Sequence, residues 1–222
     1  KLIQRILLVG FTPFIIIAVD NVMIISMNSV LQTYGGPGEG DMLITCATIV
    51  QSFMLVITMP LGGITGGTQT ILAFNYGAGQ PDRVKKAQRF IFLLSAGYTT
   101  ILFILAQTAG HIFVRLFTSD PALIAEAAKT IKIYTLAVIP LSIQYVIVDG
   151  FTGLGKVQLS LPLSFFRKLV YFLPLFLLPR FFGARATFYA EPISDIIAPV
   201  VSIFIYAVAM KRILKKPVIP NF

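Results

Sequence analysis

Residues 60–89, PLGGITGGTQTILAFNYGAGQPDRVKKAQR, run from an apolar segment into a dense basic cluster. That is the pattern of a chain leaving a bilayer on its positively charged side. Glycines at 62, 63, 66 and 67 are too many for a helix that must hold itself up in water, since each costs roughly 1 kcal/mol against alanine. In lipid the objection weakens, because small residues let neighbouring helices approach closely. Turn chemistry follows at Gly77, Gly79 and Pro81, and then cations at Arg83, Lys85, Lys86 and Arg89.

Composition agrees with a membrane setting. Of 222 residues, 56% are hydrophobic and 12% charged, with a mean hydropathy of +0.85. Soluble domains carry about 25% charged residues. The net charge of +9 would suggest nucleic acid in a soluble chain. Here the cations sit in short segments between apolar runs, so topogenesis explains them and no nucleic-acid partner is expected. The single cysteine, Cys46, lies in an apolar run, with no disulfide framework and no metal-ligand spacing. The chain starts at Lys1 without a cleavable signal pattern, which suggests a piece of something longer.

Six apolar spans are expected, at residues 6–31, 42–74, 90–109, 131–152, 159–178 and 192–210. Between the third and fourth, residues 111–128 read as an interfacial segment, with Ser119, Asp120 and Pro121 as a helix start. Lys1, Arg5, the Arg83–Arg89 cluster, Lys156 and the Lys211–Lys216 cluster fall on one side. Arg115, Arg180 and Arg185 fall on the other, beside Glu39, Asp41, Asp120, Glu126 and Glu191. The asymmetry predicts a multi-pass protein of the cell membrane with both ends of this segment in the cytoplasm.

Pro60, Gly63, Ile64, Gly67 and Gln69, followed by Asn75, Tyr76, Gly77, Ala78 and then Asp82, Arg83, Val84, Lys85 and Lys86, resemble one region of the multidrug and toxic compound extrusion (MATE) transporters. That region is the end of the eighth helix and the cytoplasmic loop after it. GLGK around Lys156 and AEPISD, Ala190 to Asp195, look like the same family. The resemblance implies an all-α membrane protein. Residues 1–222 would form a bundle of six transmembrane helices, the C-terminal lobe of a twelve-helix transporter of the bacterial inner membrane. The partners implied are the missing N-terminal six-helix lobe, the lipid bilayer and a small-molecule substrate.

Asp20 is the sharpest candidate for chemistry. It lies midway through FIIIAVDNVMIISMN, where a carboxylate costs about 2.5–3.5 kcal/mol on the lenient insertion scale. Burial raises a carboxylate's pKa and a bound cation lowers it, so such a group can exchange a proton for another cation. The plainer alternative is a carboxylate held by Asn21 or by a serine on a neighbouring helix. The resemblance implies a cation site on the helix that begins with Gly10, Phe11, Thr12 and Pro13, with Asp20 as its acid and Asn21 beside it. Tyr145 and Asp149 stand one helical turn apart, a spacing that resembles the same site's contribution from the tenth helix. Asp149 could equally pair with Arg167, which lies similarly deep on the adjacent span together with Lys168.

Asn28, Gln51, Gln107 and Gln144 are polar residues in apolar runs, where interhelical hydrogen bonding is the default. Asn28, Gln51, Met54 and Gln144 are carried forward as substrate contacts. Met23, Met27, Met54 and Met59 could line an adaptable pocket or simply pack. Glu191 and Asp195 read as acids at a helix start near the outer mouth, and His111 as interfacial.

No P-loop motif points to an ATP-driven pump, and no catalytic constellation supports an enzyme. The expectation is a secondary active transporter exporting amphipathic cations, with no cofactor and with protons or sodium ions as the coupling ion. The alternatives are a lipid-linked precursor flippase of the same superfamily, using Arg167 and Lys168 for a phosphate headgroup, or a non-transporting membrane subunit.

Overall fold

A computed structural model describes the backbone of residues 2–214 and the side chains of residues 18–214. Lys1, the side chains of Arg5 and the Gly10–Pro13 stretch, and the Lys215–Lys216 end of the last basic cluster lie outside that description.

The described residues are helical, with no strand. In chain order the helices are α1 (Leu2–Gly35), α2 (Glu39–Gly67), α3 (Gln69–Gly77), α4 (Pro81–Val114), α5 (Pro121–Tyr134), α6 (Val138–Gly153), α7 (Val157–Phe182), a 3₁₀ helix (Ala184–Tyr189) and α8 (Ala190–Ile213). Among the described residues four stretches are long and apolar enough to cross a membrane, or five if the bent pair α5 and α6 counts as one span. At 34 residues α1 exceeds the roughly 20 that a crossing needs.

Several expected boundaries move. The second span starts at Glu39, passes through Pro60 and breaks at Thr68 before α3. The cations from Arg83 to Arg89 are helical, forming the first turns of α4 behind Pro81. Proline suits that position because the first turn needs no backbone N–H partner. The expected interfacial segment at 111–128 is divided: His111–Val114 finish α4, and Asp120 caps α5 by accepting from the Ala122 N–H at 2.9 Å.

The fourth span is not one rod. It bends by 49° between Tyr134 and Val138, so that Pro140 falls in the first turn of α6. The expected loop after the fifth span is largely ordered. α7 continues through Pro174 and Pro179 to Phe182, and Gly183, at φ +80°, turns the chain into the 3₁₀ helix.

Two of the breaks leave a carbonyl without its helical partner, and a side chain from α4 answers each. Pro60 has no N–H for the Val56 carbonyl; the Tyr98 hydroxyl donates to that oxygen at 2.9 Å. At the α5 end, Gln107 Nε2 donates to the Lys132 carbonyl at 3.0 Å, which is the interhelical role expected of Gln107. Gln88 Nε2 donates to Val146 O at 3.0 Å and ties α4 to α6. In lipid no water is available to make such bonds.

The glycine-rich stretch does not pack as expected. A Cβ added at Gly62, Gly63, Gly66 or Gly67 would meet nothing within 4 Å in the described structure. Close approach occurs elsewhere. A Cβ at Gly35 would lie 2.8 Å from the Gly40 backbone, and one at Gly153 would lie 2.9 Å from Gln69 O.

Two apolar clusters form the core. One gathers Met27, Leu31, Leu43, Ile57, Ile131, Leu141 and Leu175, and the other Leu72, Val84, Ile147, Phe151, Leu163 and Met210. On α6 and α7 the residues between them in sequence include Gln144, Tyr145, Arg167 and Lys168. The polar side chains therefore form a layer between two greasy ones. At the end away from the α3–α4 turn, Arg185 binds Glu39 at 2.8 Å and Glu126 at 2.6 Å, joining the 3₁₀ helix to α2 and α5.

Gly153→Ala forces α6 away from the backbone of α3 and is expected to destabilise the protein by about 1–3 kcal/mol. Gly97→Ala, where nothing lies within 4 Å, should leave thermal unfolding in detergent unchanged or raise it. Equal melting temperatures for the two variants would refute the close α3–α6 contact.

Candidate functional site: a charged layer beside a methionine-lined cleft

Arg167 and Lys168 are consecutive on α7, so their side chains leave the helix about 100° apart. Lys168, whose side chain is 5% exposed, forms an ion pair with Asp20 of α1. Arg167 turns to α8, where Nη1 reaches Asp195 Oδ1 at 3.0 Å and Glu191 Oε1 at 3.3 Å. Tyr134 adds its hydroxyl to Glu191 Oε2 at 3.3 Å. Asp195 is 1% exposed. In an apolar surround each of these charges needs its partner, because a lone one costs several kcal/mol.

The sequence-based candidates separate in the structure. Asp20 is answered by Lys168, not by a serine; Asn21, next to it, is exposed and also makes an interaction of its own. Asp149 does not pair with Arg167. It accepts from Gln69 Nε2 at 3.0 Å and from the Thr65 hydroxyl, both neutral donors from the glycine-rich segment and α3. Glu191 and Asp195 lie in the first two turns of α8, the helix start expected of them, as buried partners of Arg167.

Two cavities meet at this layer. The smaller, about 200 Å³, is lined by Asp20, Gln144, Tyr145, Asp149, Ser164, Arg167 and Lys168 among others. The larger, about 320 Å³, shares Asp20, Tyr145 and Arg167 and adds Met23, Met27, Gln51, Met54, Tyr134, Tyr171 and Glu191. Asp20, Tyr145, Asp149, Gln51, Met54 and Gln144 are thus brought together, with Met23 and Met27. Asn28 lines neither cavity, and Met59 is exposed. Gln144 Nε2 donates to Leu163 O at 3.2 Å, while its buried Oε1 has no donor. That oxygen remains available to a bound cation or hydroxyl.

Sequence reasoning missed the partners more than the participants. Thr65 and Gln69 carried no signal as ligands of Asp149. Glu191 and Asp195 did: they stand four residues apart on one helix face, the spacing that lets two carboxylates share a cation.

The MatE family model matches residues 17–178. The chain is 25% identical over 151 residues to the FAD transporter of Shewanella oneidensis, covering 68% of this chain and 33% of that protein. It is 21% identical over 204 residues to the multidrug export protein MepA of Staphylococcus haemolyticus, covering 92% of this chain and 44% of that one. Among solved structures it superposes on an inward-facing multidrug resistance MATE family transporter of the MOP superfamily with a TM-score of 0.85 at 16% identity. That match covers 96% of this chain and 49% of the other. The chain therefore spans a third to about half the length of the proteins it matches.

Removing either member of the Asp20–Lys168 pair costs the other this ion pair. Asp20 is 47% exposed in this chain, so the loss is discounted to about 1–2 kcal/mol for Asp20→Asn or Lys168→Met. The double variant should recover most of it. A double-mutant cycle on thermal unfolding checks this, and strictly additive losses would mean that the pair does not interact.

Proposed function

The chain belongs to the MatE family, and on that premise we propose that it forms one lobe of a secondary transporter exporting amphipathic cations by antiport with protons or sodium ions. The other lobe is a second set of helices of about equal length, since this chain covers about half of the solved transporter it resembles. Both ends of the segment face the cytoplasm, with Arg83–Arg89 and Lys156 on that side. The setting is a bacterial inner membrane, as suits its two bacterial relatives.

The observation that carries the proposal is the cleft itself. Met23, Met27 and Met54 supply polarisable, repackable walls, and Asp20 and Glu191 supply negative charge at the polar end. In the layer as a whole the carboxylates Asp20, Asp149, Glu191 and Asp195 outnumber the cations Arg167 and Lys168. That balance favours a cationic ligand. One relative is named a FAD transporter, but an anionic substrate of that kind needs unspent cations, and here both deep ones are engaged by carboxylates. The same fact weighs against a lipid-phosphate flippase.

Asp20 is the coupling group in this reading. An ion can bias two conformations only by binding them unequally. Loading Asp20 with a proton or sodium ion competes with Lys168, so the positive charge of Lys168 beside the cleft is less fully compensated and repels a bound cation. Asp149, Tyr145, Asn21 and the unpartnered Gln144 Oε1 are the remaining contributors to the ion's surroundings, and Gln51 and Met54 contact the substrate. No cofactor is involved; the ion is cargo.

The test is efflux of a fluorescent cation from proteoliposomes holding the complete parent protein, under an imposed proton gradient and then a sodium gradient. Efflux driven by one gradient is expected, and Asp20→Asn should abolish the coupled component while the protein still inserts. A folded, inserted protein silent under both gradients would overturn the exporter reading. Undiminished efflux in Asp20→Asn would remove Asp20 from coupling.

A further inference from the structure

We infer that Glu191 and Asp195 on α8 share a single proton, with Arg167 as their one counter-charge among the described residues, and that this carboxyl pair opens onto the methionine-lined cleft. Both carboxylates accept from the same guanidinium nitrogen, Arg167 Nη1, at 3.3 and 3.0 Å. One positive charge balances one carboxylate. The second, if ionised, would stand within a helical turn of a like charge in a site that water barely reaches.

Among the described residues no other group packed around the pair supplies the missing charge. From α7, Lys168 is committed to Asp20 of α1 and Tyr171 is neutral. α5 contributes Tyr134, whose hydroxyl donates to Glu191, and α6 contributes Tyr145. The 3₁₀ helix contributes no charge, because its Arg185 is bound to Glu39 and Glu126. With every group ionised, and Asp149 set apart because it is held by the neutral donors Thr65 and Gln69, Asp20, Glu191 and Asp195 against Arg167 and Lys168 leave one negative charge in excess. A proton removes it. A metal ion would sit against the guanidinium, and among the described residues no three His, Cys, Asp or Glu side chains are arranged to hold one.

The pair is not sealed. Asp195 is enclosed behind Arg167, but Glu191 forms part of the wall of the cleft that also contains Asp20 and Met54. A proton leaving the pair passes from a carboxyl oxygen to water in that cleft, and the layer gains the negative charge that attracts a cation. When a proton returns, an O–H bond forms on a carboxylate oxygen and that attraction is cancelled. Proton and cationic substrate thus draw on the same unit of charge without occupying the same atoms. This consequence rests on the antiport reading; the protonation itself does not.

Infrared spectroscopy of the complete transporter tests it. The unmodified protein near neutral pH should show a protonated-carboxyl stretching band that shifts in heavy water. The band should vanish in Asp195→Asn or Glu191→Gln and persist in Asp20→Asn. The amide variants keep the shape of a neutral carboxyl, so the fold is expected to survive. Absence of the band, its survival in both α8 variants, or its loss in Asp20→Asn would each overturn the inference.

A second measurement needs no variant. Adding tetraphenylphosphonium to the unmodified protein in weakly buffered solution should release on the order of one proton per cation bound, by reciprocal linkage. Binding without release overturns the shared use of one unit of charge by proton and cation. Gradient-driven efflux without the infrared band would remove the proton site and leave transport standing, and the band without efflux would do the reverse.

Discussion

Two adjacent cations on α7 set the terms for everything around them. A charge in an apolar layer must be answered within a few ångströms, because neither water nor lipid can do it. Successive helical positions point in different directions, so Arg167 and Lys168 cannot share an answer. One recruits α8 through Asp195 and Glu191, and the other recruits α1 through Asp20. The pairings therefore choose which helices are neighbours as well as where the chemistry lies. Apolar packing above and below is permissive by comparison, since hydrocarbon side chains have no strong preference between a neighbouring helix and a lipid tail.

The same economy governs the breaks. Pro60, the Tyr134–Val138 bend and the prolines of α7 all interrupt backbone ladders within a membrane. α4 remains unbroken along its 34 residues and answers two of those interruptions, through Tyr98 and Gln107. An uninterrupted helix beside interrupted ones acts as their splint. Such interrupted helices are where transporters place binding sites, because a helix already broken can rearrange at small further cost.

The fold class and the membership of the cleft were legible in the sequence because both rest on composition along the chain. Apolar runs of adequate length, basic clusters between them and the intramembrane Asp20 need no knowledge of neighbours. Gln51, Met54 and Gln144 were identified for a related reason, as polar or polarisable residues where ordinary aliphatics would do, and Tyr145 through its one-turn spacing from Asp149, which resembles the family's tenth helix. What was not legible depends on rotation about a helix axis. Whether Asp149 meets Arg167 or the Thr65–Gln69 segment is decided by which face of α6 points where, and hydropathy carries no such phase in helices apolar nearly all round. The glycine stretch failed as a packing signal for a similar reason: small residues permit close approach without requiring it. The bend before Pro140 was foreseeable from proline alone, but the turn in which it would fall was not.

Arg185 differs from the deep cations in one respect that matters in use. Its side chain is 52% exposed and that of Glu39 is 45% exposed, so its bonds to α2 and α5 lie within reach of dissolved ions. At physiological ionic strength charges in water are screened over about 8 Å, and the screening length shortens as salt rises. The two ends of the molecule thus respond to different surroundings. The bond between Arg167 and the buried Asp195 is shielded from dissolved ions, whereas the tie at the surface slackens in brine and tightens in dilute water. The salt content of the surroundings would in this way set how firmly the far end of the bundle is held together, with no change in the sequence.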